Sequence, residues 1–332
     1  MKLDIPSARR LTVDALGSNG YSSAEALVIA DHLIDSELRG LGYAGLARAV
    51  SIIEHDRRCN LVRKGITVLQ ETPVSARIDG GDDLGYLVAS KATEISIEKC
   101  RSSGIAVVGA ARTHFTGMYS YYLEKVTACG FVGMIAGSGP AMVAPHGGTD
   151  ALFSTNPIAF GFPAKDADPV IWDISTSSIT HAEVLLAGRL GKPLPPSRGF
   201  DAFGRATSDA RAVLDGGAVA VWGGPRGSGL AMSIQLLSML AGQRDRADGG
   251  EPADFGYFMI VIDPALFDET DDFADRVADF ANKMRGSRPL DPDTSVRVPF
   301  QRSAAERRHR LELGYIDVPA PVVERLSQLA GQ

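Results

Sequence analysis

Cysteine is scarce in this chain: Cys59, Cys100 and Cys129 are the only three in 332 residues. They are far apart and odd in number, which excludes a disulfide framework or a clustered zinc site and fits a reducing compartment. No metal site is expected. Positive charge is not in excess either, with Lys+Arg 34 against Asp+Glu 40 and a net charge of −6, so no general attraction for nucleic acid follows. The one basic run, Arg307-Arg308-His309-Arg310, has no interleaved aromatics and reads as a solvated helix face. Long apolar runs are missing: no 18-residue stretch could cross a membrane, and the opening Met-Lys-Leu-Asp-Ile-Pro lacks the apolar segment of a secretion signal. The expectation is a cytoplasmic protein with no membrane partner. No internal repeat or low-complexity tract stands out.

What is present is an ordinary globular balance, 45% hydrophobic and 22% charged, long enough for one large domain or two intimate ones. Residues 7–17 and 22–39 read as helices, the second opened by the capping box Ser22-x-x-Glu25 and carrying Leu27, Ala30, Leu33, Ile34 and Leu38 at helical spacing. A third helix opens around Gly42 to Arg48. Short strands and turns follow from 63 to 86, then a helix over 87–102. The run Gly104 to Gly109 reads as a buried strand that gives out into the loop Arg112 to Gly117. A helix from Tyr119 to Cys129, a strand from Phe131 to Ala136, a Gly/Pro-rich loop from Gly137 to Thr149 and a third apolar step at Val170-Ile171 come next. Three strand ends therefore deliver His114, the Asn156-Pro157 turn and the cluster Asp173-Ile174-Ser175-Thr176-Ser177. Polar residues at strand ends are where a rigid scaffold keeps its chemistry. Further on lie a Pro/Gly-rich connection between Pro193 and Gly204, the glycine-rich entry Gly223 to Gly229 before a helix over 230–241, a polar, flexible loop over 242–256, and a helix over 267–285 with Phe273, Val277, Phe280 and Met284 on one face.

His114-Phe115 after a strand, Asn156-Pro157-Ile158-Ala159-Phe160, Asp173 with Thr176-Ser177, and Gly223-Gly224-Pro225-Arg226-Gly227-Ser228-Gly229-Leu230-Ala231 together resemble the type-2 malate/L-lactate dehydrogenase family, across residues 5 to 325 in order and spacing. The family includes ureidoglycolate, sulfolactate and diketogulonate enzymes and cyclic-imine reductases. The resemblance implies an α/β protein of the family's own, non-Rossmann fold. A central mixed sheet domain over 76–289 would pack on a helical, dimerising domain made from 1–75 and 290–332. It further implies a homodimer, NADP or NAD as cofactor with NADPH slightly favoured, and a small carboxylate as substrate.

The same resemblance assigns residues. His114, Phe115, Thr116, Gly117, Met118, Ser138, Asp173, Ile174, Ser175, Pro225 and Arg226 would surround the dinucleotide, with Arg226 where the family usually has lysine. Glycines let backbone N–H groups approach phosphate. Arg48, whose planar fork suits a carboxylate, would hold the substrate with Thr155 and His181. Histidine side chains in general exchange protons readily at physiological pH, which makes His114 the candidate for the proton that accompanies hydride transfer.

Departures from the family pattern are concentrated at the proton relay. The family's Ser-His pair is Tyr43-Ala44, and its Ala-His-Gly-Asp is Thr180-His181-Ala182-Glu183. With Ala44 in place of the histidine, Glu183 either turns to His181 or Tyr43, or belongs to a dead relay. Tyr43 is either an acid with a lowered pKa or a ring that fills the volume of the lost pair. The family's Pro-Gly-Glu is Pro299-Phe300-Gln301, which removes a glycine's backbone freedom. The function expected is an NAD(P)H-dependent reductase of a 2-oxo acid or cyclic 2-imino acid, with His114, Tyr43 or Glu183 as catalytic groups. The alternative is a family member that binds a ligand but has lost its catalysis or changed it to a lyase or isomerase reaction.

Overall fold

The computed structural model describes residues 1–60, 62–244, 255–267, 270 and 272–331. Capping chemistry sets the first helices. β1 (Lys2–Asp4) runs into α1 (Ile5–Gly17), where the Asp4 side chain accepts the Ser7 N–H. α2 (Ser23–Leu38) begins with the capping box read from the sequence: Ser22 Oγ accepts the Glu25 N–H at 3.3 Å and Glu25 Oε2 accepts the Ser22 N–H at 2.7 Å. A single 3₁₀ turn, Gly42–Ala44, then leads to α3 (Leu46–Cys59). Gly40-Leu41-Gly42-Tyr43-Ala44-Gly45 spells the G-x-G-x-x-G of a dinucleotide-binding turn, but it follows a helix, and that motif works only between a strand and a helix.

The middle of the chain alternates. β2 (Thr67–Thr72), β3 (Ser75–Leu84), α4 (Gly85–Ser103), β4 (Ile105–His114), α5 (Tyr119–Thr127), β5 (Val132–Ser138), β6 (Val143–Ala144), β7 (Ile158–Phe162) and β8 (Val170–Ile174) come first. α6 (His181–Leu190), β9 (Gly199–Phe200), β10 (Ala206–Thr207), α7 (Ala210–Leu214), β11 (Ala218–Ala220) and α8 (Pro225–Leu240) follow. The chain ends in β12 (Phe255–Ile262), α9 (Phe273–Arg285), α10 (Gln301–Leu313), β13 (Tyr315–Asp317) and α11 (Ala320–Ala330). Most of the loop read over 242–256 lies outside the described residues, and its last two positions begin β12.

Seven strands form a mixed sheet in the order β2-β3-β4-β12-β5-β7-β8, with β3 and β4 parallel and the other neighbours antiparallel. Thr67–Thr72, grouped from the sequence with the N-terminal helices, is the edge strand of this sheet. β12 lies at its centre, and its unbroken run Phe-Gly-Tyr-Phe-Met-Ile-Val-Ile reflects burial on both faces. α4 and α5 pack on one side, where Tyr119, Tyr122, Leu123, Tyr257 and Met259 are buried together. α8 covers the other side through Ile234 against Ala136 and Ile158. A separate apolar core joins α1, α2, α3 and α11 through Leu16, Ile29, Leu33, Ile52 and Leu326. β6, β9, β10 and β11 make a small second sheet beside α6 and α7.

β4 is longer than the glycine-bounded run 104–109 suggests. It continues through His114 because β3 and β12 still pair with it there, Leu84 opposite His114 and Phe255 opposite Thr113. The polar Arg112 is tolerated inside it by ion pairs to Asp79 at 2.8 Å and Asp82 at 2.6 Å.

Helical core and sheet are joined by a buried charge network. Arg39, its side chain 1% exposed, donates from Nε to Asp35 at 2.5 Å and from Nη2 to Glu124 of α5. Asp35 also accepts Arg307 of α10 at 2.5 Å. Removing one member of such a network leaves buried charge uncompensated. Arg39→Ala should therefore lower the unfolding free energy in urea by about 3–5 kcal/mol; a loss under about 1 kcal/mol would show that the network is not what ties the two parts.

Candidate active site

A cleft of about 1080 Å³ opens between the face of α3, the segment after β4, the end of β8, the start of α6 and residues 297–303. Its wall holds four arginines, Arg48, Arg58, Arg297 and Arg302, against one carboxylate, Asp173. The lining is therefore built for an anion. α3 supplies Arg48 and, seven residues on and so two turns along the same face, His55. His55 was not among the residues singled out from the sequence. The i, i+7 spacing from Arg48 on an amphipathic helix is the signal that finds it.

Arg48 has no ion-pair partner among the described residues. Its guanidinium carbon lies 5.1 Å from the centre of the Phe115 ring. His181, the first residue of α6, is held far below its usual range, at about 4, by burial and then by the Arg48 charge. It is a neutral imidazole at neutral pH, free to donate or accept a hydrogen bond beside a cation. Thr155 lines the same cleft.

The segment Phe115 to Met118 follows β4 and also lines the cleft. Its path is over-determined. Gly117 has φ +74, and a Cβ there would lie 2.5 Å from His32 Nε2 and 2.6 Å from Tyr86 Cε1. His32, fully enclosed, accepts the Met118 N–H at 3.0 Å and is kept neutral chiefly by burial, with Lys125 and Arg39 acting the same way. Tyr122 Oη donates to the Thr116 carbonyl at 2.8 Å. Asp173, raised by burial, accepts the Ser120 N–H in the first turn of α5 at 2.9 Å. Ser138 Oγ donates to Gln235 at 2.6 Å and Ser175 Oγ to the Thr155 carbonyl at 2.9 Å. Ile174 completes this part of the wall.

Four of the residues named from the sequence lie elsewhere than the cleft wall. His114 is 3% exposed; as the last residue of β4 its side chain packs inward, its Nε2 3.3 Å from Asp56 Oδ1 and its ring 5.3 Å from that of His55. Asp56 in turn accepts the Tyr21 hydroxyl at 2.6 Å. Glu183 turns neither to His181 nor to Tyr43. Its Oε2 accepts the Thr180 N–H at 2.8 Å and the Thr180 hydroxyl at 2.6 Å, a capping box for α6. Pro225 and Arg226 sit in the first turn of α8, which starts five residues before the expected position 230, and neither is on the cleft wall.

Tyr43 does line the cleft, but its phenol is pushed up, by burial first and then by the nearby Glu183 and Asp173 charges, with Arg302 opposing. Of the two readings of Tyr43, the acid with a lowered pKa is the one this environment opposes. Tyr43 is a hydrogen-bond donor and a poor acid. Phe300 keeps the left-handed backbone that a glycine would adopt, at φ +75, with its ring 4.7 Å from the buried Arg39 guanidinium carbon.

These residues fit a dinucleotide and an organic acid together. The cation excess meets phosphates and a carboxylate, Trp172 and Phe255 offer aromatic planes, and His55 Nε2 is a buried polar atom with no partner among the described residues. Phe115 to Met118, Ser138 and Asp173 to Ser175 would border the dinucleotide, with Arg297 and Arg302 as its charge partners.

A model of the malate/L-lactate dehydrogenase family matches residues 3–327. The chain is 30% identical to a (2R)-3-sulfolactate dehydrogenase (NADP(+)) of Chromohalobacter salexigens over 99% of this chain and 98% of that protein. It is 29% identical to a Δ1-pyrroline-2-carboxylate/Δ1-piperideine-2-carboxylate reductase of Pseudomonas syringae over 94% of this chain and 92% of that one. The solved Δ1-piperideine-2-carboxylate reductase of Pseudomonas syringae superposes with a TM-score of 0.87 at 28% identity, covering 99% of each chain.

The coupling of Arg48 to His181 has a direct check. The His181 ring should titrate near pH 4 by NMR, and Arg48→Ala should move it toward the ordinary histidine range. A His181 titration unchanged by that substitution would separate the two residues.

Proposed function

This chain belongs to the malate/L-lactate dehydrogenase family, and from that premise we propose that it is an NAD(P)H-dependent oxidoreductase reducing a cyclic 2-imino acid or a 2-oxo acid at the carbon next to a carboxylate. The observation that carries the proposal is Arg48, without an ion-pair partner among the described residues, beside a neutral His181 on a cleft wall whose described residues include four arginines and one carboxylate. Arg48 takes the substrate carboxylate in a bidentate contact. His181 and Thr155 orient the rest of the substrate. The nicotinamide, when bound, supplies the hydride.

Reduction of a ketone then needs a proton at the oxygen that receives the carbonyl electron pair. An iminium ion needs none, since its nitrogen arrives protonated and hydride transfer leaves a neutral amine. This difference orders the substrates. Glu183 is committed to capping α6 and Tyr43 is harder to ionise than a free phenol. We assign the proton to His114, oriented by Asp56 and reaching the cleft past His55. Such an indirect route disfavours ketones. Cyclic imino acids, and 2-oxo acids with apolar side chains, should be better substrates than malate or L-lactate.

The proposal includes a cytoplasmic homodimer. In its support, Met232, Leu236, Met239 and Leu240 expose apolar surface along α8, more than a lone soluble helix face usually shows. Light scattering on the purified protein reads the oligomeric state directly.

A reductase screen with NADH and NADPH tests the activity. Δ1-Piperideine- and Δ1-pyrroline-2-carboxylate should turn over faster than pyruvate or oxaloacetate. His114→Ala should lower ketone kcat by about 10²–10⁴ while affecting the imines much less. The double change Tyr43→Ser and Ala44→His should raise ketone turnover. Robust malate or lactate oxidation by the unmodified chain would contradict this ordering, and no turnover of any of these acids would favour the alternative of a ligand-binding member whose catalysis is lost or changed to a lyase or isomerase reaction.

A further inference from the structure

The turn that carries Tyr43, and the start of the helix that carries Arg48, rest on a carboxylate with no part in the chemistry above. Glu37, in the last turn of α2, is 2% exposed. Its Oε1 accepts the Leu46 N–H at 2.8 Å, one of the donors that the first turn of a helix leaves without an intrahelical partner. The side chain is wedged so closely beneath the turn that a Cβ on Gly45 would lie 2.2 Å from Oε1 and 2.4 Å from Cδ. Arg48 follows Leu46 by two residues, within the same first turn of α3.

We propose that Glu37 is a positioning residue for carboxylate recognition: by holding the Leu46 N–H it fixes the end of α3 from which Arg48 enters the cleft. The inference rests on Arg48 being the carboxylate site proposed above. It extends to pH. Burial raises the Glu37 carboxyl to about 7, against the opposing influence of the Leu46 N–H and of Arg310. The charged and titratable groups around it are few. Arg310 of α10 donates to the Glu37 carbonyl at 2.5 Å and pairs with Glu306 at 2.5 Å. The 3₁₀ turn brings Tyr43, subject to Glu183, Asp173 and Arg302, and α3 brings Arg48. A charge-assisted bond to an N–H is stronger than a neutral one, so the hold on α3 tightens as Glu37 ionises between pH 6 and 8.

The stability consequence has the opposite sign. The folded-state value lies above the ordinary glutamate value of 4.5, so the contribution of Glu37 to stability is fullest below about 4.5 and is lost as pH rises through about 7. Glu37→Gln keeps the shape and the acceptor without the buried charge. Its Tm should exceed the parent's at pH 8 and equal it at pH 5, which also shows that the variant folds.

The functional test is calorimetric titration with oxamate, an unreactive 2-oxo acid analogue, in the presence of saturating NADPH at pH 6 and pH 8. The parent should bind oxamate about three- to tenfold more tightly at pH 8. Glu37→Gln should bind equally at both, near the parent's value at pH 6. Gly45→Ala, which drives the carboxylate away from Leu46, should bind about tenfold more weakly than the parent at pH 8. A Glu37→Gln protein that keeps the parent's pH ratio, or a Gly45→Ala protein that binds like the parent, overturns the inference alone. An unmodified protein that does not bind oxamate, or one that Arg48→Ala leaves unaltered, overturns the Arg48 assignment and this inference with it.

Discussion

A full positive charge stands on the cleft wall at Arg48 with no carboxylate to meet it among the described residues, and much of the surrounding structure answers to that charge. It adds to the burial that keeps His181 neutral and eases the ionisation of Tyr86, whose hydroxyl burial raises to about 12. It stacks on Phe115, the residue that opens the segment held by His32 and Tyr122. An arginine placed in the first turn of a helix also faces the positive end of the helix dipole, and in that turn the buried Glu37 engages the Leu46 N–H and not the arginine. An unsatisfied cation in a shaped cleft is a demand for an anionic ligand, and it sets the substrate class before any catalytic group is considered.

The proton side of the site is organised around what this chain has lost. Where the resemblance leads one to expect Ser-His, the structure puts a phenol that is reluctant to ionise, and Glu183 serves as a helix cap. Phe300 adopts a left-handed backbone at φ +75, a conformation that strains a non-glycine residue by about 1–3 kcal/mol. It is held by the buried Arg39, itself fixed by Asp35 and Glu124. Positive φ at a non-glycine residue on the cleft wall fits packing, and not the residue's own preference, setting the loop there.

The sequence made the helical layer legible because its signals are local. Ser22 with Glu25, the glycines at 104 and 130 and the 3.6-residue periodicity of α2 each act within one turn. β12 was opaque, since an apolar run of eight residues reads equally as a strand or a buried helix, and only its partners β4 and β5 decide. The extension of β4 to His114 likewise depends on Leu84 and Phe255, distant in the chain. At the site, Arg48, His181 and the segment Phe115 to Met118 were found through motif order. His55 was missed although its i, i+7 spacing from Arg48 on α3 could have found it, and Glu37 was missed because a carboxylate folded under a glycine has no expression in spacing. The two readings of Tyr43 stayed open in the sequence, since the sign of a pKa shift depends on burial and on neighbours from α6 and β8.

The central claim is that one electropositive cleft takes a nicotinamide dinucleotide beside Arg48. The most direct measurement is a fluorescence titration of the purified, unmodified chain with NADPH and NADH. Saturable binding of at least one, weakened when Arg297 and Arg302 are both changed to alanine, is the result the structure predicts. No binding to either dinucleotide would contradict it.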